Sequence, residues 1–304
     1  MSQFKILSEN KFKAFFQSNA FVEVFFEKKG LARYKYLFGA LRIELKSIRH
    51  YFVIAYSRLT PLFNPKNPKT FATDSFLTEF ERYAKSLGVV DIGYTRLNPG
   101  ILFYNEKVIS KNTIVLSLEM DKDKMNLAPS KATFNMIHET YHNLNMITLK
   151  LSNYLRKNGY AAQPSTATLG YGHYPPIAES AGLGLKGWHG LLITPKLGPR
   201  QRLALVFTSI ENLPIYDLQQ NSHSWITDFC STCKKCVRAC PADAIPKDLE
   251  FDNFGNQIHI HAKKCVDYFS QNYGCSICIK ECTFNKTTYD KLKTIHDRKN
   301  KNAT

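Results

Sequence analysis

From Leu37 onward the apolar positions Leu41, Leu45, Ile48, Phe52 and Ala55 recur at three- and four-residue steps, with Arg42, Lys46 and Arg49 on another face. That spacing predicts an amphipathic helix, and residues 1–60 as a whole read as helical. Such a face either packs against the rest of the protein or lies on an anionic membrane surface. Pro61 and the run Asn64-Pro65-Lys66-Asn67-Pro68 then mark a linker. Ser75 to Gly88 has a helical pattern closing at a glycine, and Val89 to Tyr94 follows as a short strand. Asn112 to Glu119 (NTIVLSLE) is rich in β-branched and aliphatic residues, which predicts a buried strand. Phe134 to Leu155 forms a long amphipathic helix stopped by Asn158-Gly159. A glycine-rich loop runs from Gly170 to Gly190, and Leu191 to Thr194 and Leu203 to Thr208 are further strands. The mixture predicts an α+β chain, with no internal repeat outside a late block of cysteines.

Length and composition set the frame for these elements. A chain of 304 residues can hold one large domain plus a small one. With 44% hydrophobic and 22% charged residues it has the composition of a globular protein. No stretch approaches the roughly 18–20 apolar residues of a membrane helix. The best candidate, Tyr51 to Tyr56, ends at Arg58. Neither a signal peptide nor a twin-arginine pair is found at the N-terminus. A cytoplasmic location is expected, with association at the inner face of the membrane as an option. The net charge is +16, and residues 1–70 hold thirteen Lys and Arg against four Glu and no Asp. The segment after Cys282 is again lysine-rich. A solvated basic surface accounts for this charge, as does an acidic partner: RNA, an anionic membrane surface or an acidic redox protein.

All eight cysteines lie between Cys230 and Cys282. In a reducing compartment such a block points to metal or cluster ligation rather than disulfides. Cys230-x2-Cys233-x2-Cys236-x3-Cys240-Pro241 has the bacterial ferredoxin spacing. Two-residue gaps let three thiolates curl round one face of a cubane, and the fourth points toward another cluster. Proline after it suits the first turn of a helix. The second half, Cys265-x9-Cys275-x2-Cys278-x3-Cys282, repeats the scheme with its first gap stretched and Thr283 in place of the proline. By the cross-over rule of two-cluster ferredoxins, Cys230, Cys233, Cys236 and Cys282 hold one 4Fe–4S cluster. Cys240, Cys265, Cys275 and Cys278 hold the other, and no cysteine is left over. The competing readings are two zinc sites, although zinc usually takes separate pairs of cysteines, or one cluster with spare thiols.

The first 229 residues contain no cysteine, so something there should receive or supply the electrons. Ala181-Gly182-Leu183-Gly184, Gly187, Gly190-Leu191-Leu192-Ile193-Thr194-Pro195 and Gly198-Pro199-Arg200 resemble the core of corrinoid-dependent reductive dehalogenases. The related epoxyqueuosine reductases share part of this pattern. Lys264-Cys265-Val266-Asp267-Tyr268, Tyr273-Gly274-Cys275-Ser276-Ile277-Cys278 and Cys282-x-Phe284-Asn285 match as well, so the resemblance covers roughly residues 75–286. It implies a nitroreductase-like α/β domain binding a cobalamin, followed by a small dicluster ferredoxin-type domain. The implied division is a basic helical extension and linker over 1–70, a corrinoid-binding-like domain over 71–225, the cluster domain over 226–288 and a basic tail over 289–304.

Gly182, Leu183, Gly184, Gly187, Gly190 and Gly198 become the implied corrinoid cradle, since glycine lets backbone approach a flat macrocycle; ordinary turns are the other explanation for them. The resemblance places the family's proton-donating tyrosine on Tyr141 and its supporting arginine on Arg200. A guanidinium beside a phenol favours phenolate, which makes the phenol a better acid. Two departures stand out: Ala167 replaces an asparagine seen in some dehalogenases, and Thr140 replaces the aspartate of epoxyqueuosine reductases. His142, His173 and His189 are expected to be hydrogen-bonding or surface residues rather than cobalt ligands, and His259-x-His261 to alternate on an exposed strand. The resulting expectation is a corrinoid-dependent reductase acting on a small substrate, fed by a ferredoxin- or flavodoxin-type donor. A non-catalytic electron carrier that has lost the corrinoid and an RNA-directed enzyme like epoxyqueuosine reductase are the alternatives.

Overall fold

The computed structural model describes residues 45–103, 106–217, 222–253 and 255–301. The expectation of helix for residues 1–44 lies outside them. Helix α1 (Leu45–Leu59) runs into a short 3-10 turn at Thr60–Phe63, where Pro61 occupies the first turn. Ile54, Ser57 and Thr60 are buried, so one side of α1 packs inward. Phe52, Tyr56 and Leu59 are exposed on the other side, together with Leu62 and Phe63 of the following turn. Arg58 fastens the end of α1. Its guanidinium donates to both carboxylate oxygens of Glu106, at 3.0 and 2.9 Å, and to the Leu169 carbonyl at 3.0 Å. It also lies 4.8 Å over the Tyr171 ring. A two-pronged ion pair of this kind fixes orientation as well as distance.

Helix α2 (Asp74–Ser86) starts where Thr73 accepts the Phe76 N–H and stops before Gly88, whose φ is +101°. Val89 is buried and donates its N–H to the Ala84 carbonyl. It therefore closes the helix, and strand β1 begins at Asp91, running to Arg96. Strand β2 occupies Asn112–Glu119 as its composition predicts. Strands β3 (Ala162–Ser165) and β6 (Gln201–Thr208) complete a four-stranded sheet of order β1-β2-β6-β3. Each adjacent pair is antiparallel. Pro164 sits in β3 at the sheet edge, where a missing N–H costs no ladder bond.

Both faces of the sheet are covered, which is why β2 is apolar without alternation. On one face Tyr94, Ile114, Leu116, Ala162, Ala204 and Val206 meet α2 and the long helix α4 (Lys131–Lys157). Leu144, Ile147, Leu151 and Leu155 form the inner stripe of α4. Ser130 caps that helix by accepting the Thr133 N–H at 3.1 Å. On the other face Val115, Leu203, Leu205 and Phe207 pack on Ile177 and Ala178 of α5 (Tyr174–Ser180), a helix inside the expected glycine-rich loop. Its first turn takes Pro175 and Pro176, which lack the N–H a helix start leaves unpaired anyway. Strands β4 (Leu185–Lys186) and β5 (Leu192–Ile193) then form a small hairpin.

The cysteine-bearing unit is helical: α6 (Trp225–Cys233), α7 (Lys235–Ala239), α8 (Ala262–Gln271), α9 (Ile277–Lys280), α10 (Thr283–Lys286) and α11 (Tyr289–Lys301). Within the segment read as a basic tail, α11 is anchored at its first residue. The Tyr289 hydroxyl accepts from Trp225 Nε1 at 2.8 Å and pairs with His223 Nδ1 at 2.7 Å. Two apolar groups join this unit to the sheet. Met120, Met136 and Ile137 meet Ile279, as does Met125 of the short helix α3 (Lys122–Asn126). Ile193 packs among Trp225, Ile226 and Phe284. No helix among the described residues is long and apolar enough to cross a membrane.

Leu116 is completely buried and Leu62 is 80% exposed. Leu116→Ala should lower unfolding free energy by about 2–5 kcal/mol, against within about 0.5 kcal/mol for Leu62→Ala. Urea denaturation of the two variants checks the difference.

Candidate iron–sulfur centre and reductive site

Cys230 and Cys233 lie on α6, Cys236 on α7, and Cys282 immediately before α10. The first three, close in sequence, and the distant Cys282 line one cavity with Trp188 and His189, and no other cysteine lines it. Among the described residues no group of three or more His, Cys, Asp or Glu side chains is arranged to hold a metal ion. A single zinc ion draws its sulfurs to about 2.3 Å. Four thiols placed around a cavity instead suit a polynuclear group.

The electrostatics of the thiols sort them the same way. Burial pushes the Cys230 thiol up to about 12, and its neighbours Cys236 and Cys233 add to the effect. Cys282 is raised by burial and then by Cys230, Cys236 and Cys233. Cys265 is pushed up to about 11 by burial, then by Cys275 and Cys240. Cys278 is raised by burial and chiefly by Cys275 and Cys265 among its charged neighbours. The two sets adjoin where Cys240 and Cys278 pack against the apolar group of Cys236. Neutral thiols of this kind become thiolates only when a positive centre compensates the charge.

Backbone geometry explains how the loops curl. Lys234, Cys275 and Ser276 have φ of +39°, +42° and +68°. Such left-handed residues turn successive N–H groups inward and create anion-binding concavities. The N–H of Trp188 serves Cys230, that of Val237 serves Cys236, and that of Phe284 serves Cys282. In the other set Ile277 serves Cys275, and the Ala244 N–H reaches Cys240 Sγ at 3.3 Å. Thr283 still begins a helix without the expected proline. Its hydroxyl lies 3.1 Å from Cys233 Sγ.

The segment expected to cradle a corrinoid is closed on the chain itself. A Cβ on Gly184 would meet the Ile193 carbonyl, and one on Gly187 the Ile193 side chain at 2.6 Å. At Gly182 it would meet the Tyr216 ring at 2.4 Å, and at Gly190 the His259 Cβ at 2.8 Å. Gly198 is the sharpest case: its φ is +58°, and a Cβ would stand 2.4 Å from the Phe284 carbonyl oxygen. Leu183 is a core residue on the α5 face. Packing of the chain accounts for these residues, and as a cradle for a macrocycle they do not fit.

Tyr141 on α4 is half-buried beside Met120, Met136 and Ile137, in the same apolar group as Cys278. The guanidinium over its ring, 4.4 Å from the centroid, is that of Arg202. This corrects the expected pairing with Arg200, whose Nη1 donates to Glu119 Oε1 at 2.7 Å and to the Met120 carbonyl at 3.1 Å. The reason is strand position. Arg202 lies within β6 on the face that carries Ala204 and Val206 toward α4, whereas Arg200 precedes the strand at the sheet's end. Burial and the nearby Arg202 hold His138 below the ordinary histidine range. Thr140 turns its hydroxyl back to the Met136 carbonyl at 2.8 Å, and Ala167 donates its N–H to Asn145 Oδ1 at 2.8 Å.

Burial depresses His173 and His189 to about 4. The expected strand at His259 and His261 is absent: His261 caps α8 and pairs with Glu250 at 3.3 Å, while His259 Nδ1 lies 3.2 Å from the Trp188 carbonyl. Arg202 and the cavity position of His189 escaped the sequence pattern because neither lies in a recognisable spacing.

Residues 229–286 match the 4Fe-4S dicluster domain. A tetrachloroethene reductive dehalogenase of Desulfitobacterium hafniense is 34% identical over 189 residues, covering 58% of this chain and 33% of that protein. An epoxyqueuosine reductase of Cyclobacterium marinum is 33% identical over 127 residues, 36% of each chain. A solved reductive dehalogenase, described with a mechanism for B12-dependent dehalogenation, superposes with a TM-score of 0.64 at 19% identity. That match covers 81% of this chain and 38% of the other. The cysteine block thus defines a domain of the 4Fe-4S dicluster type, and the fold is that of the solved reductive dehalogenase. The chain is similar in sequence to part of the reductive dehalogenases and, over a shorter stretch, to epoxyqueuosine reductases. It spans about a third of the length of the dehalogenases it matches.

Gly198→Ala should cost roughly 1–3 kcal/mol from backbone conformation alone, beyond the clash with Phe284. Thermal unfolding and iron retention of the variant check this, with earlier loss of iron expected.

Proposed function

We propose that this chain passes single electrons through two 4Fe–4S clusters into a reductive site beside Tyr141. One cluster is held by Cys230, Cys233, Cys236 and Cys282, and the other by Cys240, Cys265, Cys275 and Cys278. The observation that carries this reading is the sharing of one cavity by Cys230, Cys233, Cys236 and Cys282 without any other cysteine. Packing of Cys240 and Cys278 against the apolar group that contains Cys236 keeps the two sets adjacent, as electron exchange requires. Packing of Cys278 and Tyr141 against one apolar group supports the second cluster as the one nearer the reductive site. Electrons then enter at the first cluster, from a donor of ferredoxin or flavodoxin type.

At the reductive site Tyr141 is the proton source in this reading. Arg202 stacks over its ring, and the ring packs against the apolar group of Met120, Met136 and Ile137, so its position is fixed on both sides. A reducible small molecule is the substrate class. The reading takes the sheet unit to be of nitroreductase type.

A corrinoid as the electron acceptor is supported by the relatives, one of which is described with B12-dependent dehalogenation. The glycine segment, for its part, is packed on the chain itself. The back-bonded hydroxyl of Thr140, where epoxyqueuosine reductases carry an aspartate, weighs against epoxide opening on RNA.

Anaerobically purified protein should contain about eight irons per chain and show a low-temperature paramagnetic signal on reduction. Cys282→Ser and Cys278→Ser should each lose about half of that iron, and the two should keep different signals. Zinc in place of iron, or loss of both signals together in each variant, would overturn the assignment. Cobalt content after expression with cobalamin separates a corrinoid enzyme, at about one per chain, from an electron carrier without one.

Replacing the Tyr141 hydroxyl, as in Tyr141→Phe, keeps the ring under Arg202 but removes the proton. Reductive turnover should fall by about 100-fold or more, with iron content and cluster signals unchanged.

A further inference from the structure

The cavity that gathers Cys230, Cys233, Cys236 and Cys282 is also lined by His189. Only 5% of that residue is exposed. Its Nδ1 accepts the Leu191 N–H at 3.1 Å, and its Nε2 has no hydrogen-bond partner. A neutral imidazole that accepts at one nitrogen carries its proton on the other. His189 therefore holds a buried N–H donor without an acceptor, in a cavity whose walls are thiols. Such donors are rare in folded proteins, and an unrecorded group commonly accounts for them. Thr283 supplies a second donor on the same cavity, its hydroxyl 3.1 Å from Cys233 Sγ. Once that sulfur is an iron thiolate it has no proton, so the hydroxyl donates.

We propose that His189 Nε2–H and Thr283 Oγ1–H hydrogen-bond sulfurs of the cluster held by Cys230, Cys233, Cys236 and Cys282, making that cluster the first of the two to be reduced. The inference rests on the two-cluster reading above. Uptake of one electron adds negative charge that is shared by the cluster's sulfurs. Donors aimed at them stabilise the reduced form more than the oxidised one, and the potential rises. Both sets receive backbone N–H groups, at Cys230, Cys236 and Cys282 in one and at Cys240 and Cys275 in the other. The side-chain pair comes in addition, on one cluster. A protonated Nε2 has no lone pair for iron or cobalt, so His189 acts as a donor and not as a ligand. It is a positioning residue, and the first cluster becomes a reservoir that fills before the cluster nearer Tyr141.

The test uses the full, iron-loaded chain in a redox titration followed by low-temperature electron paramagnetic resonance. Wild type should show two midpoints. His189→Leu and Thr283→Val should each move the higher midpoint downward and leave the lower one in place. His189→Gln and Thr283→Ser, which keep a donor, should restore much of the shift. Pulsed resonance on reduced protein carrying labelled histidine should show a weak nitrogen coupling that His189→Leu abolishes. Unmoved midpoints at wild-type iron content, equal movement of both, or the strong coupling of an iron-bound imidazole would each overturn the proposal. Should His189→Leu fail to fold, Thr283→Val exchanges a hydroxyl for a methyl and reads the same midpoint. Wild type without iron or without the reduced signal instead removes the cluster reading itself, and this inference with it.

Discussion

Gathering eight cysteines from one short segment into adjoining groups is the constraint around which this structure is arranged. Cys230, Cys265, Cys278 and Cys282 are buried or half-buried and lie near other thiols, and both circumstances oppose their ionisation. A fold that keeps them so needs compensation, and it comes in two forms. Inward-turned backbone N–H groups from left-handed residues supply partial positive charge. An iron cluster supplies the rest. Three short helices of this unit are bounded by cysteines: α6 ends at Cys233, α7 ends just before Cys240 and α10 begins just after Cys282.

The sheet unit is built by the ordinary rule that apolar faces must be covered. Its contribution to the centre is made at one end of the sheet. The loop through Trp188 and His189 walls the cavity of Cys230, Cys233, Cys236 and Cys282. Helix α4 brings Tyr141 to the apolar group on which Cys278 also packs. Gly198 lets the loop before β6 press against the Phe284 carbonyl, so the two units meet backbone to backbone. The glycine-rich segment thus joins the sheet to the cysteine unit. Its composition, which resembles a cofactor loop, is explained by close approach of the chain to itself.

Much of the fold was legible in the sequence because the signals were local. NTIVLSLE is a strand buried on both faces and reads as one from composition alone. Helix α4 is long, periodic and stopped by Asn158-Gly159. Other elements were hidden by residues that break patterns. Pro164 conceals β3 because only the neighbouring strands make it an edge. Pro175 and Pro176 conceal α5 although both sit acceptably in its first turn. Val89 looks like the start of a strand, but its N–H is taken by the helix before it.

The cysteine spacings by themselves marked the C-terminal unit as one of the 4Fe-4S dicluster type, because the reach of a thiol across two residues is a local property of the chain. The sheet's register, in contrast, chose Arg202 over Arg200 for the ring of Tyr141, since which face of β6 meets α4 depends on pairing with β2 and β3. Tertiary structure also set His189 on the wall of the thiol cavity with one nitrogen already engaged. Neither placement has a sequence signature. Each depends on which distant segment lies across the gap, and only the packed chain fixes that.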